Sequence, residues 1–139
     1  MIIEINTQSH SPIYEQLRDQ IVLGIAAGKL EAGEELPSVR RFAADLGINF
    51  HTVNKVYSLL EGEGYITMDR RKGAVVASSM AASDEFLQKL SQQIKLAAAE
   101  AVCHGISGVE FLSICSKGYQ NAKGYQNAKN HQSTEEETQ

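Results

Sequence analysis

Two short amphipathic helices joined by a glycine turn constrain this chain more than any other feature of its sequence. The first follows Pro37, has Ser38 as its N-terminal cap, and is predicted to end at Gly47. The turn Gly47–Asn49 combines a residue that tolerates a left-handed backbone with one that caps the next helix, which is predicted to run from about Phe50 to Glu61. Two helices joined in this way are typical of a helix-turn-helix.

The second of these helices has two chemically different sides. At 100° per residue, four apolar residues fall together and are predicted to be core: Val53, Val56, Tyr57 and Leu60. Nearly opposite lie His51, Lys55 and Ser58, with Asn54 adjacent, and none of these four is an acid. Such a side either contacts base edges and phosphates in a DNA major groove or is an ordinary solvated surface, and this helix alone does not decide between them.

After Gly64 the periodicity becomes that of β-strands. Two apolar runs, 65–68 and 74–77, flank the segment Asp69-Arg70-Arg71-Lys72-Gly73, which predicts a hairpin with three cations at its tip. Because like charges repel, such a tip is better explained by a polyanionic partner than by folding. A helix-turn-helix followed by this hairpin is a winged helix, whose tip can follow the DNA backbone or enter a minor groove.

The residues before the helix-turn-helix predict one more strand and one more helix. The apolar run Ile2–Ile5 is consistent with an edge strand, and Ser11 is expected to cap a helix that has Pro12 at its first position. An apolar stripe follows at every fourth residue, and the helix should stop near Gly28. The stripe consists of Ile13, Leu17, Ile21 and Ile25, with Tyr14 alongside.

The charges are distributed unevenly along the 139 residues, whose formal net charge is −4. Residues 1–37 carry two basic and six acidic side chains, whereas residues 38–72 carry six basic and four acidic ones. Acidic flanks weaken non-specific binding to nucleic acid. Binding to DNA must therefore come from a local, salt-sensitive surface within residues 38–72.

The C-terminal part predicts two helices whose apolar stripes need a partner. After a linker of small residues at 78–83, one helix begins at Asp84 and ends near His104, and a capping box Ser107–Glu110 opens the second. The expected partner is the same pair of helices from a second copy. The residues predicted to dimerise are Leu87, Leu90, Ile94, Ala97, Ala98, Ala101, Phe111, Leu112 and Cys115. A repeat of Lys-Gly-Tyr-Gln-Asn-Ala over 117–128 can extend the second helix, although its glycines weaken that interpretation.

Enzymes, metal proteins and membrane proteins are disfavoured. The chain has no phosphate-binding glycine loop, no paired carboxylates and no nucleophile–base pattern, so no catalytic residue and no cofactor is predicted. Cys103, His104 and Cys115 match no zinc template, and the thiols are predicted to be buried at a helix–helix contact. Without a membrane span or export signal, the chain is expected to be cytoplasmic with reduced cysteines.

Five segments, in order and at the expected spacings, resemble the N-terminal domain of GntR-family regulators. They are Pro12–Leu17, Gly28–Leu30, Leu36–Arg40, Asn49–Tyr57 and Leu60–Ile66. The resemblance covers about residues 10–77. It implies a winged helix that binds near-palindromic operators as a dimer, in a bacterial regulator.

The resemblance also implies which residues contact DNA. Arg40 would contact a phosphate or a guanine edge, with Arg41 beside it in place of an acidic residue common in the family. Phe50 is unusual at its position and either touches a thymine methyl or packs on the side of the domain. The full set predicted to bind DNA is Arg40, Arg41, Asn49, Phe50, His51, Thr52, Asn54, Lys55, Arg70, Arg71, Lys72 and Gly73.

The short tail resembles the YtrA-type branch of the family, whose two C-terminal helices serve for dimerisation and whose members often control transporter operons. The predicted organisation is a winged helix-turn-helix at 1–77, a linker at 78–83, a dimerisation region at 84–124 and a disordered tail at 125–139. The predicted function is a homodimeric repressor of its own operon that binds double-stranded operator DNA. The alternative is a winged helix that binds proteins without reading DNA. The sequence leaves open whether a small-molecule effector binds, and identifies none.

Overall fold

The computed structural model describes residues 3–124. They form five helices and one two-stranded antiparallel sheet, which confirms the mainly α fold class with a small β-wing. In chain order the elements are α1 (Ile13–Ala26), α2 (Val39–Leu46), α3 (Phe50–Gly62), β1 (Ile66–Asp69), β2 (Gly73–Val76), α4 (Asp84–Cys103) and α5 (Gly108–Ala122). The chain divides into two compact units, the first ending at Met80 and the second beginning at Ala81.

The core of the first unit is built around α3. Helices α1 and α2 both pack against α3, and β1 follows it closely. The predicted apolar side of α3 is buried, and the side chains that are almost completely excluded from solvent come from α1, α3 and both strands. They are Leu17, Ile21, Val53, Val56, Leu60, Ile66 and Val76. This arrangement leaves the opposite side of α3 in solvent.

The helix-turn-helix is fixed by the caps that its sequence predicts. The Ser38 side chain accepts a hydrogen bond from the Arg41 amide at 3.2 Å, which begins α2. Gly47 has a φ of +66°, a left-handed conformation that ends α2 at low cost only for glycine. Oδ1 of Asn49 then accepts from the His51 amide at 2.8 Å and begins α3.

The predicted start of α1 was wrong by one residue. Pro12, not Ser11, is the N-terminal cap of α1, and no side chain caps this end. The Pro12 carbonyl accepts the first backbone hydrogen bonds of the helix, from the amides of Glu15 and Gln16. The amide of Ser11 donates to Oγ of Ser9, while the carbonyl oxygen of Ser11 accepts from Nε2 of Gln16. Helical backbone therefore begins at Ile13.

The predicted edge strand at residues 2–5 was also wrong for its described part, because residues 3–5 have no strand partner. Side chains of α1 take the place of that partner. The Glu4 amide donates to Gln20 at 2.9 Å, and the Asn6 amide donates to Gln16 at 2.8 Å. Both glutamines donate back, to the carbonyl oxygens of the same two residues. The segment is thus held along α1, with Ile3 and Ile5 packed against the core.

The hairpin is confirmed, and its second strand has an additional neighbour. Ile66 pairs with Val76 and Asp69 with Gly73 in antiparallel register. On its other edge β2 is bonded to residues 33–36, which approach from the loop before α2. The Leu36 amide donates to the Ala74 carbonyl at 2.8 Å, and the Val76 amide donates to the Glu34 carbonyl at 2.9 Å. Backbone groups of β2 are therefore bonded on both sides.

The second unit contains the two predicted helices. Ser83 accepts from the Phe86 amide at 3.1 Å, and Ser107 accepts from the Glu110 amide at 3.1 Å, so both predicted starts are confirmed. The first copy of the repeat, 117–122, forms the end of α5 despite Gly118. The tail predicted to be disordered, 125–139, lies outside the described residues. Among the described helices none is long and apolar enough to cross a membrane.

The prediction of two buried thiols was wrong for the single chain. Cys103 and Cys115 are both exposed and unpaired by a disulfide. The physical reason is that α4 and α5 do not pack along one another, so neither helix covers the other's apolar side. Within α4 the buried residue is Ala101, near the joint between the two helices.

Candidate nucleic-acid interface

The exposed side of α3 is the first part of the candidate interface. His51, Asn54, Lys55 and Ser58 are all exposed, as the helical periodicity predicts, whereas Thr52 is half-buried. None of the four carries negative charge near neutral pH. Imidazole, amide, ammonium and hydroxyl groups are all able to donate hydrogen bonds to base edges or phosphate oxygens. The side of α3 that faces solvent therefore has the chemistry of a DNA-reading surface.

Phe50 joins the starts of α2 and α3. Its ring centroid lies 5.9 Å from Cζ of Arg40 and 5.6 Å from the His51 ring, which it meets edge-on. At 5.9 Å the guanidinium is at the outer limit of a cation–π contact. Phe50 as a whole remains 41% exposed. The structure thus brings three of the predicted DNA-binding residues together in one cluster.

Two other predicted residues are partly occupied by local contacts. Asn49 uses its side-chain oxygen as the cap of α3, which leaves its amide NH₂ as the group able to face a ligand. Nε of Arg41 lies 3.8 Å from Oδ2 of Asp45, one helical turn away. Because both partners of this pair are highly exposed, the pair contributes little to stability and leaves the guanidinium accessible.

The hairpin tip is ordered by a carboxylate that the sequence analysis did not select. Oδ1 of Asp69 accepts hydrogen bonds from the amides of Arg71 at 2.7 Å and Lys72 at 3.0 Å. These two bonds lower the pKa of Asp69, the one to Lys72 contributing most. Gly73 closes the turn with a φ of +76°. An Asp placed directly before three cations is a recognisable turn signal, so this role was readable from the sequence.

The order of the tip should depend on Asp69 as a hydrogen-bond acceptor. We expect Asp69→Ala to speed amide hydrogen exchange at Arg71 and Lys72, whereas Asp69→Asn, which keeps an oxygen at this position, should preserve protection. A pKa that folding lowers means that the ionised carboxylate stabilises the tip above the unfolded pKa of about 4, and that this contribution is lost as pH falls below it. Amide chemical shifts at the tip should accordingly be constant from pH 8 to pH 6. Unchanged exchange in Asp69→Ala would contradict this role.

Contacts across the fold place one further aromatic ring beside the exposed side of α3. Nζ of Lys55 lies 3.6 Å from the centroid of the Tyr14 ring on α1. Helical periodicity places Tyr14 alongside the apolar stripe of α1, and no local signal links two residues so far apart in the chain. In residues 3–124 no group of three His, Cys, Asp or Glu side chains is placed to hold a metal ion.

These features define a class. The first unit is a winged helix-turn-helix, and its exposed α3 side and cationic hairpin tip carry the groups that nucleic-acid-binding members of this class use.

Comparisons with known proteins extend this result. Residues 12–76 match the sequence profile of the bacterial regulatory proteins of the gntR family. The chain is 34% identical over 87 residues to the uncharacterised HTH-type transcriptional regulator YhcF of Bacillus subtilis, covering 63% of this chain and 72% of YhcF. It is 37% identical over 78 residues to the HTH-type transcriptional repressor YtrA of the same organism, covering 56% of this chain and 60% of YtrA.

Several solved structures are similar to this chain in both sequence and fold. A crystal structure named as a transcriptional antiterminator from Listeria monocytogenes superposes with a TM-score of 0.82 at 30% identity, covering 88% of this chain and 93% of that one. YtrA from Sulfolobus acidocaldarius, a GntR-family transcription factor, superposes with a TM-score of 0.62 at 40% identity, covering 71% and 99% respectively. The chain belongs to the GntR family of transcription regulators, in its YtrA-like branch. Membership in a family of regulators also confirms the prediction that it is not an enzyme.

Proposed function

We propose that this regulator represses transcription by binding a near-palindromic operator as a homodimer. The observation that carries the proposal is the combination, in one folded unit, of an exposed α3 side that carries no acid from residue 50 to residue 58 and a hairpin tip with three exposed cations. The α3 side would enter a major groove, and the tip would contact the backbone or a minor groove. Repression is inferred from the B. subtilis relative, which is named a repressor.

Base reading is assigned to the N-terminal part of α3. His51 and Asn54 are one turn apart on the exposed side, and Asn is suited to bidentate contact with adenine. Arg40 lies near the start of α3, where the Phe50 ring is 5.9 Å from its guanidinium and 5.6 Å from the His51 ring. The exposed edge of Phe50 would be available to a thymine methyl. Arg41 and Lys55, together with the tip cations, would contact phosphates and carry no base preference.

Dimerisation is assigned to the second unit. Large apolar side chains are exposed along both of its helices, which is costly for a helix pair that stands alone. Those from the predicted stripe include Leu87, Leu90, Ile94 and Leu112, with exposures between 41% and 67%. A second copy offers the same apolar stripes in a symmetric arrangement. Because operator half-sites are related by two-fold symmetry, a dimer of this kind suits a near-palindromic site.

The proposal predicts that α3 determines base preference. We expect His51→Ala and Asn54→Ala to reduce discrimination at one or two operator positions by about 1–3 kcal/mol each, while Lys55→Met should weaken binding to all sequences alike. The measurement is selection of duplexes from a random pool, followed by competition with single-base variants of the selected site. If both alanine variants select the same site with the same discrimination, α3 does not read the bases.

The salt dependence of binding distinguishes the proposed function from the alternative, in which the winged helix binds a protein without reading DNA. A DNA-binding surface of this charge should lose affinity steeply between 50 and 200 mM salt, whereas an apolar protein interface should not.

The regulated genes are best sought beside the chain's own gene, where a transporter operon with an upstream palindrome would fit the YtrA-like assignment. Operator binding also makes the cytoplasm the proposed location.

A further inference from the structure

Tyr14 and Lys55 form a close cation–π pair between α1 and α3. The Lys55 Nζ lies 3.6 Å from the Tyr14 ring centroid, well inside the limit of about 6 Å for such contacts. Tyr14 is half-buried in the first turn of α1 and packs against the core, so its ring has a fixed base. Lys55 is exposed on the side of α3 that also carries His51 and Asn54.

The ring restrains a side chain that would otherwise be mobile. A lysine has four rotatable bonds above its backbone, and holding it in one place on binding has an entropic cost. The face of an aromatic ring attracts the ammonium without neutralising its charge. Among the described residues no carboxylate lies within ion-pairing distance of Lys55. Its N–H groups therefore remain available to an anion.

We propose that Tyr14 is a positioning residue, whose ring presents the Lys55 ammonium to a DNA phosphate. The proposal rests on the function proposed above, since it assigns Lys55 to a phosphate beside the groove that α3 enters. It adds to the DNA-binding machinery a residue from α1 that itself contacts no DNA. A purely structural Tyr14, acting only as a core side chain, is the competing explanation.

A double-mutant cycle separates the two explanations. The variants are Tyr14→Leu, Tyr14→Phe, Lys55→Met and the combination of Tyr14→Leu with Lys55→Met, each in the full chain. Affinity is measured by fluorescence anisotropy for a duplex selected by the wild-type chain and for an unrelated duplex, across a salt series. Thermal unfolding of every variant reports on stability independently.

A positioning role predicts coupled losses. Tyr14→Leu should weaken binding to both duplexes about two- to fivefold, the range of an exposed cation–π contact, and Tyr14→Phe should stay within about twofold because it keeps the ring. Lys55→Met should weaken binding by about tenfold or less and reduce the salt slope by about one. In the Lys55→Met background, Tyr14→Leu should cause no further loss, because the cation that it positions is absent.

A spectroscopic signature supplies a second readout that core packing would not move. The ε-methylene protons of Lys55 should be shifted upfield by the Tyr14 ring current, and Tyr14→Leu should return them to ordinary values. An equal loss of affinity from Tyr14→Leu in both backgrounds would overturn the proposal, as would unshifted protons in the wild-type chain. If Lys55→Met weakens binding but the cycle shows no coupling, only this inference fails. A wild-type chain without salt-dependent DNA binding overturns the proposed function, and this inference with it.

Discussion

Replacing Arg70, Arg71 and Lys72 together with glutamine should lower DNA affinity by about a hundredfold at 0.15 M salt, equally for all duplex sequences. Each phosphate contact by a cation releases counterions and contributes about 0.9 to the slope of log affinity against log salt. Three lost contacts should therefore reduce that slope by nearly three. The tip has no part in the core, since all three residues are exposed, so thermal stability should change little. The measurement is a salt series of dissociation constants for a selected site and an unrelated duplex.

A charge-matched control distinguishes the effect of the hairpin tip on DNA affinity from the effect of a lower net charge. Changing Lys29, Lys89 and Lys95 to glutamine removes the same three charges, but Lys29 lies beyond the end of α1 and the other two lie on α4, off the predicted apolar stripe. This control should leave the salt slope unchanged. If the tip variant binds DNA as tightly as the wild-type chain, or if the control loses as much, the hairpin is not a DNA-binding wing.

Truncation after Ala82 should give a monomer that binds a near-palindromic operator at least a hundredfold more weakly. The first unit has its own core of α1, α2, α3 and the hairpin, so its helices should persist. Without the second unit, however, the two half-sites must be bound independently, and the gain from linking two binding events is lost. Sedimentation at several concentrations measures the assembly, and titration of a full operator and a half-site measures the affinities.

Two controls separate dimerisation from loss of the C-terminal segment as such. Truncation after Gly124 removes only residues outside the described part and should leave the dimer intact. Substitution of glutamate for both Leu90 and Ile94 in the full chain places charges on the proposed interface and should reproduce the monomer. A truncated chain that still sediments as a dimer would remove the proposed role of α4 and α5.

The sequence was informative wherever a few neighbouring residues decide the structure. Ser38, Asn49 and Ser107 were identified as caps, because a cap depends on a side chain and an amide two or three residues away. The apolar side of α3 was identified for a similar reason, since helical periodicity alone brings its residues together. Most of the candidate DNA-binding surface is carried on these elements, and so could be selected in advance.

Contacts between distant segments were missed. The apolar run at residues 2–5 was predicted to be a strand from its composition alone. In the structure, the side chains of Gln16 and Gln20 bond the backbone of residues 4 and 6 in place of a neighbouring strand. The pairing of residues 33–36 with β2 depends on how the loop crosses the unit, which no local pattern encodes. Tyr14 was read as a core residue because its contact with Lys55 exists only once α1 and α3 are packed together.

The backbone pairing of β2 on both edges has a consequence for how such a regulator can diversify. Residues 33–36 are hydrogen-bonded to β2 and lead directly into the Ser38 cap of α2. The same backbone hydrogen bonds therefore fix both the position of the hairpin and the start of the helix-turn-helix. Residues 70–72 lie outside the paired segments of the sheet, so they can be replaced without changing its backbone pairing. We expect the tip to tolerate replacement and lengthening that residues 33–36 do not. The strength of operator binding and the choice of operator are then separately tunable, one through the tip and the other through α3.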